Sequence, residues 1–334
     1  MKAWTFDRCG PIDTEPLRGV ERDDPVPGRG QLLISVNCCG VCRTDLHLVE
    51  GDLAPRHARV VPGHEVVGTV VSCGAGVDGF APGQRVGVPW LAATDGQCAY
   101  CRRGDENLCT RARFTGWDVD GGYADLCVAE AAYVYRLPSG IDDLRAAPLL
   151  CAGIIGYRSL RAAKVPPGGR LGIYGFGASA HLTAQVALHE GMRVHVLSRG
   201  RRNRELATRL GVDSVGHATA EPPEPLDGAI LFAPAGDLVP LALRSLDRGG
   251  TLAVAGIWLS DVPVLRYADA LFQERHLCSV TANTRADGEE FLSLAARFDL
   301  QVTTAPYSMD DAPRALSDLA NGRFGGAAVL VTAH

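Results

Sequence analysis

Three residues far apart in the chain carry its sharpest chemical signal. They are Cys42 in Gly40-Val41-Cys42-Arg43-Thr44-Asp45-Leu46-His47, His64 in Gly63-His64-Glu65, and Cys151 in Leu149-Leu150-Cys151-Ala152-Gly153. Two thiolates and one imidazole fill three positions of a tetrahedral zinc ion and leave the fourth for water or an alcohol. The thiolate charges balance those of the metal. An open-position zinc acts as a Lewis acid that stabilises an alkoxide and polarises a carbonyl, and this chemistry pairs naturally with a hydride carrier.

A site for such a carrier is also written in the sequence. Tyr174-Gly175-Phe176-Gly177-Ala178-Ser179-Ala180 follows an apolar strand pattern and opens a helical one, giving a GxGxxA dinucleotide fingerprint. Gly175 and Gly177 allow a tight turn and close backbone approach, and the helix beginning at Ala178 offers N–H groups to a pyrophosphate. At the end of the next strand, where NAD enzymes carry an acid for the ribose hydroxyls, the chain reads Leu197-Ser198-Arg199-Gly200-Arg201-Arg202. The Ser198 hydroxyl and the Arg199 guanidinium suit a 2′-phosphate, which favours NADP(H) over NAD(H). The alternative is a solvated basic turn on a protein that uses NADH.

The elements that position these residues fall into two patterns. Residues 1 to about 150 hold short β-branched runs, such as Leu32 to Val36 and Val66 to Val71, punctuated by Pro82-Gly83 and Gly121-Gly122. They read as an antiparallel, barrel-like β domain. After Pro166-Pro167-Gly168-Gly169 the expected strands are Leu171 to Tyr174, Val194 to Leu197, Ser214 to Val215, Ala229 to Phe232, Thr251 to Ala255 and Leu277 to Thr281. Helices at Ala178 to Glu190 and Arg204 to Leu210 alternate with them, the second closed by Gly211. The overall class is therefore α/β, with a doubly wound parallel sheet as its second part. From about Asp287 a helix through Phe298 and a strand at Ala327 to Thr332 are expected to return to the first domain. The division is 1–151 with 287–334 for one domain and 152–286 for the other.

Composition narrows the partners. A net charge of −5 with no basic block argues against nucleic acid and anionic membrane and favours a small-molecule substrate. The opening MKAWTFDRCG lacks a secretory pattern, and no run of about 18 apolar residues occurs, so the expected location is cytoplasmic. The 11 cysteines bunch as Cys38, Cys39, Cys42 and as Cys98, Cys101, Cys109, which is metal spacing rather than disulfide spacing.

Taken as an ordered set, these segments resemble the zinc-containing alcohol dehydrogenases of the medium-chain dehydrogenase/reductase superfamily. The resemblance rests on Cys39 to His47, Pro62-Gly63-His64-Glu65, Val88-Pro89-Trp90-Leu91, Asp120-Gly121-Gly122-Tyr123-Ala124, Leu150-Cys151-Ala152-Gly153 and Tyr174-Gly175-Phe176-Gly177. It implies a GroES-like β-barrel catalytic domain in two sequence segments, a Rossmann-type cofactor domain between them, and an active site in the cleft. It also implies that Cys42, His64 and Cys151 bind catalytic zinc, with Glu65 an outer or exchangeable ligand and Asp45 orienting His64. Thr44 would pass the alcohol proton through the nicotinamide ribose to His47. Arg43 and Arg285 match positions that contact the cofactor pyrophosphate, although by themselves both read as surface charges. Trp90 would line the substrate pocket, with Trp117 and Trp258 as further candidates for its wall. The family further suggests a dimer or tetramer paired through the sheet edge near Leu277 to Thr281.

Cys98-Ala99-Tyr100-Cys101 followed by Cys109 matches most of the family's structural zinc lobe, but its first cysteine is replaced by Asp95. A carboxylate keeps the ligand charge, so a Cys3Asp site for a second zinc is expected, held less securely than four thiolates would hold it. The alternative is an empty lobe. The resulting functional expectation is an NADP(H)-preferring alcohol dehydrogenase or aldehyde reductase acting on a small alcohol, aldehyde or ketone. A zinc-independent conjugate (enone) reductase and a non-catalytic cofactor-binding protein are the alternatives.

Overall fold

The structure is a computed structural model that describes residues 1–333. His334, which closes the expected first domain, lies outside the described residues. The chain forms two compact units, Met1–Cys151 with Ala282–Ala296 and Val302 onward, and Ala152–Thr281 with Arg297–Gln301. The return falls at Ala282 rather than 287, and residues 297–301 belong with the second unit. The reason is local: Phe298 stacks on His189 at 4.5 Å, and the Gln301 backbone bonds to Gln185 and His181.

The first unit is built on Gln31–Val41 (β1), Val66–Cys73 (β2), Arg85–Val88 (β3), Leu126–Glu130 (β4) and Tyr135–Arg136 (β5). In β1, Leu32, Ile34 and Val36 are buried alternately, which is the period of a strand with one face on a core; from Cys38 onward every residue is buried. β1 pairs antiparallel with both β2 and β4, and the antiparallel ladder continues through β3 to β5. β1 hands the chain directly to the helix Arg43–Glu50 (α1), whose N-cap is Cys42.

The second unit carries six strands, Arg170–Tyr174 (β6), Arg193–Leu197 (β7), Ser214–Gly216 (β8), Leu226–Leu231 (β9), Leu246–Val254 (β10) and His276–Ser279 (β11). All six expected strands are present, paired parallel in the order β8-β7-β6-β9-β10-β11. The helices Ala178–His189 (α2) and Arg201–Arg209 (α3) fall where expected, α3 starting three residues early behind Gly200. The order reverses between β6 and β9, the place where open parallel sheets bind ligands.

The chain then returns through the helix Arg285–Phe298 (α4) and the strands Thr304–Ser308 (β12) and Ala327–Val331 (β13). β13 joins β1 antiparallel, whereas β12 and β13 run parallel to each other. The first sheet is therefore mixed, not wholly antiparallel as its pattern suggests, because the helix Ala312–Ala320 connects its last two strands. No helix among the described residues is long and apolar enough to cross a membrane.

Candidate active site and metal centres

Asp45 organises the first cluster. Its side chain, fully buried, accepts the Cys42 N–H (2.9 Å) and the Gly63 N–H (3.1 Å), and the Tyr123 hydroxyl donates to it at 3.3 Å. His64 Nδ1 lies 3.0 Å from the same carboxylate. A carboxylate only accepts, so Nδ1 carries the proton and Nε2 presents its lone pair. Nε2 is buried and has no hydrogen-bond partner. Such an orphaned acceptor is costly unless something binds it.

What surrounds it is a donor set. One ligand atom each from Cys42, His64, Glu65 and Cys151 lies within 4.8 Å of the others. The Cys42 and Cys151 sulfurs are 4.0 Å apart, close to the roughly 3.8 Å that two thiolates on a tetrahedral zinc require. Cys151 sits in a single π-turn, Leu149–Gly153, the kind of helical irregularity that often carries a functional side chain. The Cys151 S–H and then His64 hold the Cys42 thiol well below its ordinary value. Burial pushes the Glu65 carboxyl up, and its Oε2 also lacks a partner. These residues fit a metal ion.

Thr44 Oγ1 lies 3.7 Å from Cys42 Sγ, and His47, one turn further along α1, pairs through Nδ1 with Asp52 at 2.9 Å. Arg43 is exposed at the start of the same helix. Trp90 meets His64 edge-on at 4.8 Å and lies nearly parallel to Phe114 (4.9 Å) and Trp117 (5.9 Å). Arg56 covers Trp117 at 3.7 Å and pairs with Asp118. Trp258 lies in the second unit, after β10, and is 47% exposed. Phe114, Arg56 and Tyr123 carried no sequence signal of their own; only the segment Gly121-Gly122-Tyr123 could have pointed to the last.

In the second cluster, ligand atoms of Asp95, Cys98, Cys101 and Cys109 again lie within 4.8 Å of one another, with Cys98 and Cys101 sulfurs 3.5 Å apart. Asp95 Oδ1 accepts the N–H groups of Gln97 and Cys98, both at 2.9 Å, and these bonds hold its carboxyl well below the usual range. The donor set fits a second metal ion. Arg285 does not stand alone as a surface charge: its guanidinium is gripped by Glu106, inside this lobe.

In the second unit, Gly175 has φ +87° and a Cβ there would strike the Ala233 backbone nitrogen at 2.7 Å, so only glycine serves. A Cβ on Gly177 would meet nothing within 4 Å, which leaves open space at the start of α2 beside Ala178. Ser198 is buried at the end of β7 while Arg199 is exposed, and Arg204 donates to both their carbonyls at 2.7 and 2.5 Å. This arrangement fits a dinucleotide.

Residues 28–139 match the alcohol dehydrogenase GroES-like domain family. The whole chain is 56% identical to a probable alcohol dehydrogenase of Mycobacterium tuberculosis, covering 99% of this chain and 97% of that one. It belongs to the zinc-containing alcohol dehydrogenases of the medium-chain dehydrogenase/reductase superfamily. Among solved structures, a cinnamyl alcohol dehydrogenase of Sorghum bicolor superposes with a TM-score of 0.88 at 29% identity, covering 99% of this chain and 97% of that one. A cobalt- and zinc-bound thermostable alcohol dehydrogenase of Pyrobaculum aerophilum gives 0.89 at 25% identity, covering 99% of each chain. The protein is thus an alcohol dehydrogenase that moves a hydride between an alcohol and an aldehyde or ketone.

Proposed function

We propose that this dehydrogenase works with zinc held by Cys42, His64 and Cys151 and prefers NADP(H). The observation that carries the first part is the buried, unpartnered His64 Nε2, aimed by Asp45 into a pair of sulfurs 4.0 Å apart. The cobalt and zinc of the Pyrobaculum relative support it. Zinc there supplies Lewis-acid activation of a carbonyl or alcohol oxygen, and the nicotinamide supplies or accepts the hydride. Asp45 fixes the imidazole tautomer and raises its basicity. Glu65, buried with its Oε2 unpartnered, serves as the exchangeable donor beside the three ligands. The Thr44 hydroxyl takes the substrate proton and hands it on towards His47, whose Nδ1 is held by Asp52. Trp90 excludes water beside His64.

Gly175, Gly177 and the N-terminus of α2 cradle the cofactor diphosphate, with Arg43 and Arg285 as its cationic contacts. Ser198 and Arg199 take the 2′-phosphate, and Arg204 fixes the backbone of that turn. Asp95, Cys98, Cys101 and Cys109 would hold a second zinc. Trp258 joins Trp90 and Trp117 in bounding the substrate. The protein pairs with a second copy through the edge strand β11, where Leu277 is exposed. Its 11 free thiols, six of them outside the two donor clusters, suit the cytoplasm.

The test is oxidation of NADPH and, separately, NADH with a panel of aliphatic and aromatic aldehydes, before and after chelation. Turnover that favours NADPH, disappears with chelation and returns with zinc is the expected result. Chelator-insensitive turnover would sink the zinc assignment, and a preference for NADH would sink that of Ser198 and Arg199.

A further inference from the structure

Arg285 opens α4, and its guanidinium is held on two sides. Glu106 Oε1 accepts the Arg285 backbone N–H at 2.7 Å and the Nε–H at 3.0 Å, while Oε2 accepts from Nη2 at 2.7 Å. The Glu106 side chain is only 10% exposed and belongs to the short turn Glu106–Leu108, between Cys101 and Cys109. The opposite hold is Tyr133, whose ring centre lies 4.7 Å from the guanidinium carbon. The Tyr133 hydroxyl is itself anchored on Thr94, accepting its N–H at 3.0 Å and lying 2.7 Å from its Oγ1. Thr94 is the residue before Asp95. One group that fixes Arg285 therefore lies within the lobe formed by Asp95, Cys98, Cys101 and Cys109, and the other is anchored to Thr94, the residue that leads into it.

The grip leaves one edge of the arginine available. Glu106 takes the Nε and Nη2 side, whereas Nη1 has only a 3.5 Å contact with the Ala132 carbonyl, and 42% of the side chain is exposed. A guanidinium presents paired donors to phosphate oxygens along such an edge. Ordering a long arginine before a ligand arrives removes an entropic cost from binding.

We propose that the cysteine lobe is a positioning device for Arg285, in which Glu106 and Tyr133 lock the guanidinium for the diphosphate of the nicotinamide cofactor. The lobe thereby sets cofactor affinity. The inference rests on the cofactor reading given above, and it goes beyond it by assigning roles to Glu106, Tyr133 and Thr94.

The experiment measures NADPH binding by fluorescence, without any carbonyl substrate, for the wild type, Glu106→Gln, Tyr133→Phe and Arg285→Ala. Glu106→Gln is expected to raise the Kd about tenfold, since it removes a charge-assisted partner, and the kinetic loss should fall on the cofactor KM rather than on kcat. Glu106→Gln added to Arg285→Ala should cost nothing further. Tyr133→Phe, which keeps the ring but frees it from Thr94, should give a smaller rise in the same direction. Affinity for adenosine 2′-phosphate, which has no diphosphate, should be unchanged in all variants; metal analysis should show the lobe still loaded. An unchanged Kd in Glu106→Gln, or an equal loss for adenosine 2′-phosphate, overturns the proposal. A wild type that binds NADPH but reduces no aldehyde overturns the functional reading, while the Kd comparison still decides this one.

Discussion

Glu65 lies against Gly40 so closely that a Cβ there would stand 1.8 Å from its Oε2 and 2.8 Å from its own Cβ. The glycine at position 40 is thus required by a neighbouring side chain, since it does not adopt a positive φ. Gly40→Ala should displace Glu65 from the donor cluster and destabilise the fold by about 1–3 kcal/mol; thermal melting and zinc content per chain would report it, and no change in either would mean that Glu65 can move aside freely. Nothing in the sequence announces this role, because a glycine after Cys39 reads only as a small strand residue. The donor cluster was legible for the opposite reason: Cys42, His64 and Cys151, which the structure brings together, have side-chain chemistry that fits few other purposes in that combination. Asp45 and Trp90 fall between. The family resemblance names them, but only the geometry explains them, through three donors converging on one carboxylate and an indole edge against His64. Phe114 and Arg56 stayed hidden because ring stacking joins residues that no spacing rule relates.

The lobe around Asp95 shows how one substitution plays out across an element. Asp95 does two jobs, placing a carboxylate among the donor atoms of Cys98, Cys101 and Cys109 and closing its own turn by accepting two backbone N–H groups. A thiolate also accepts backbone N–H groups, as Cys109 does from Asp95 and Arg111. Asp95→Cys should therefore keep the turn while giving zinc a softer fourth donor. A melting temperature raised by a few degrees in zinc-replete buffer, with slower metal loss to a chelator, is expected; identical unfolding and metal loss would show that the carboxylate already serves as well. The strands of the second unit were readable because both faces of a parallel sheet are buried, so each strand appears as an apolar run. The parallel pairing of β12 with β13 was not, since hydrophobic period reveals a strand's buried face and never its partner's direction.

The same limit operates on the molecule as a whole, where the strand order of the second sheet and the return of residues 297–301 to the second unit depend on contacts between distant segments. His181 on α2 is central to that return: its Nε2 donates to the Gln301 carbonyl at 2.7 Å, and the ring is 2% exposed. Burial holds the imidazole below its ordinary value. Between that lowered value and about 6.5, the unfolded chain binds a proton that the folded unit refuses. Stability must therefore fall as pH drops through this window and recover above it. His181→Leu removes the hydrogen bond, at a cost of about 1 kcal/mol near neutrality, and removes the proton linkage as well. In urea unfolding, the wild type should thus lose part of its advantage over His181→Leu between about pH 7.5 and about pH 5.5, on either side of the free imidazole value. Parallel pH profiles for the two proteins would mean that His181 takes up its proton without leaving Gln301, and that the tie between α2 and the returning chain is indifferent to charge.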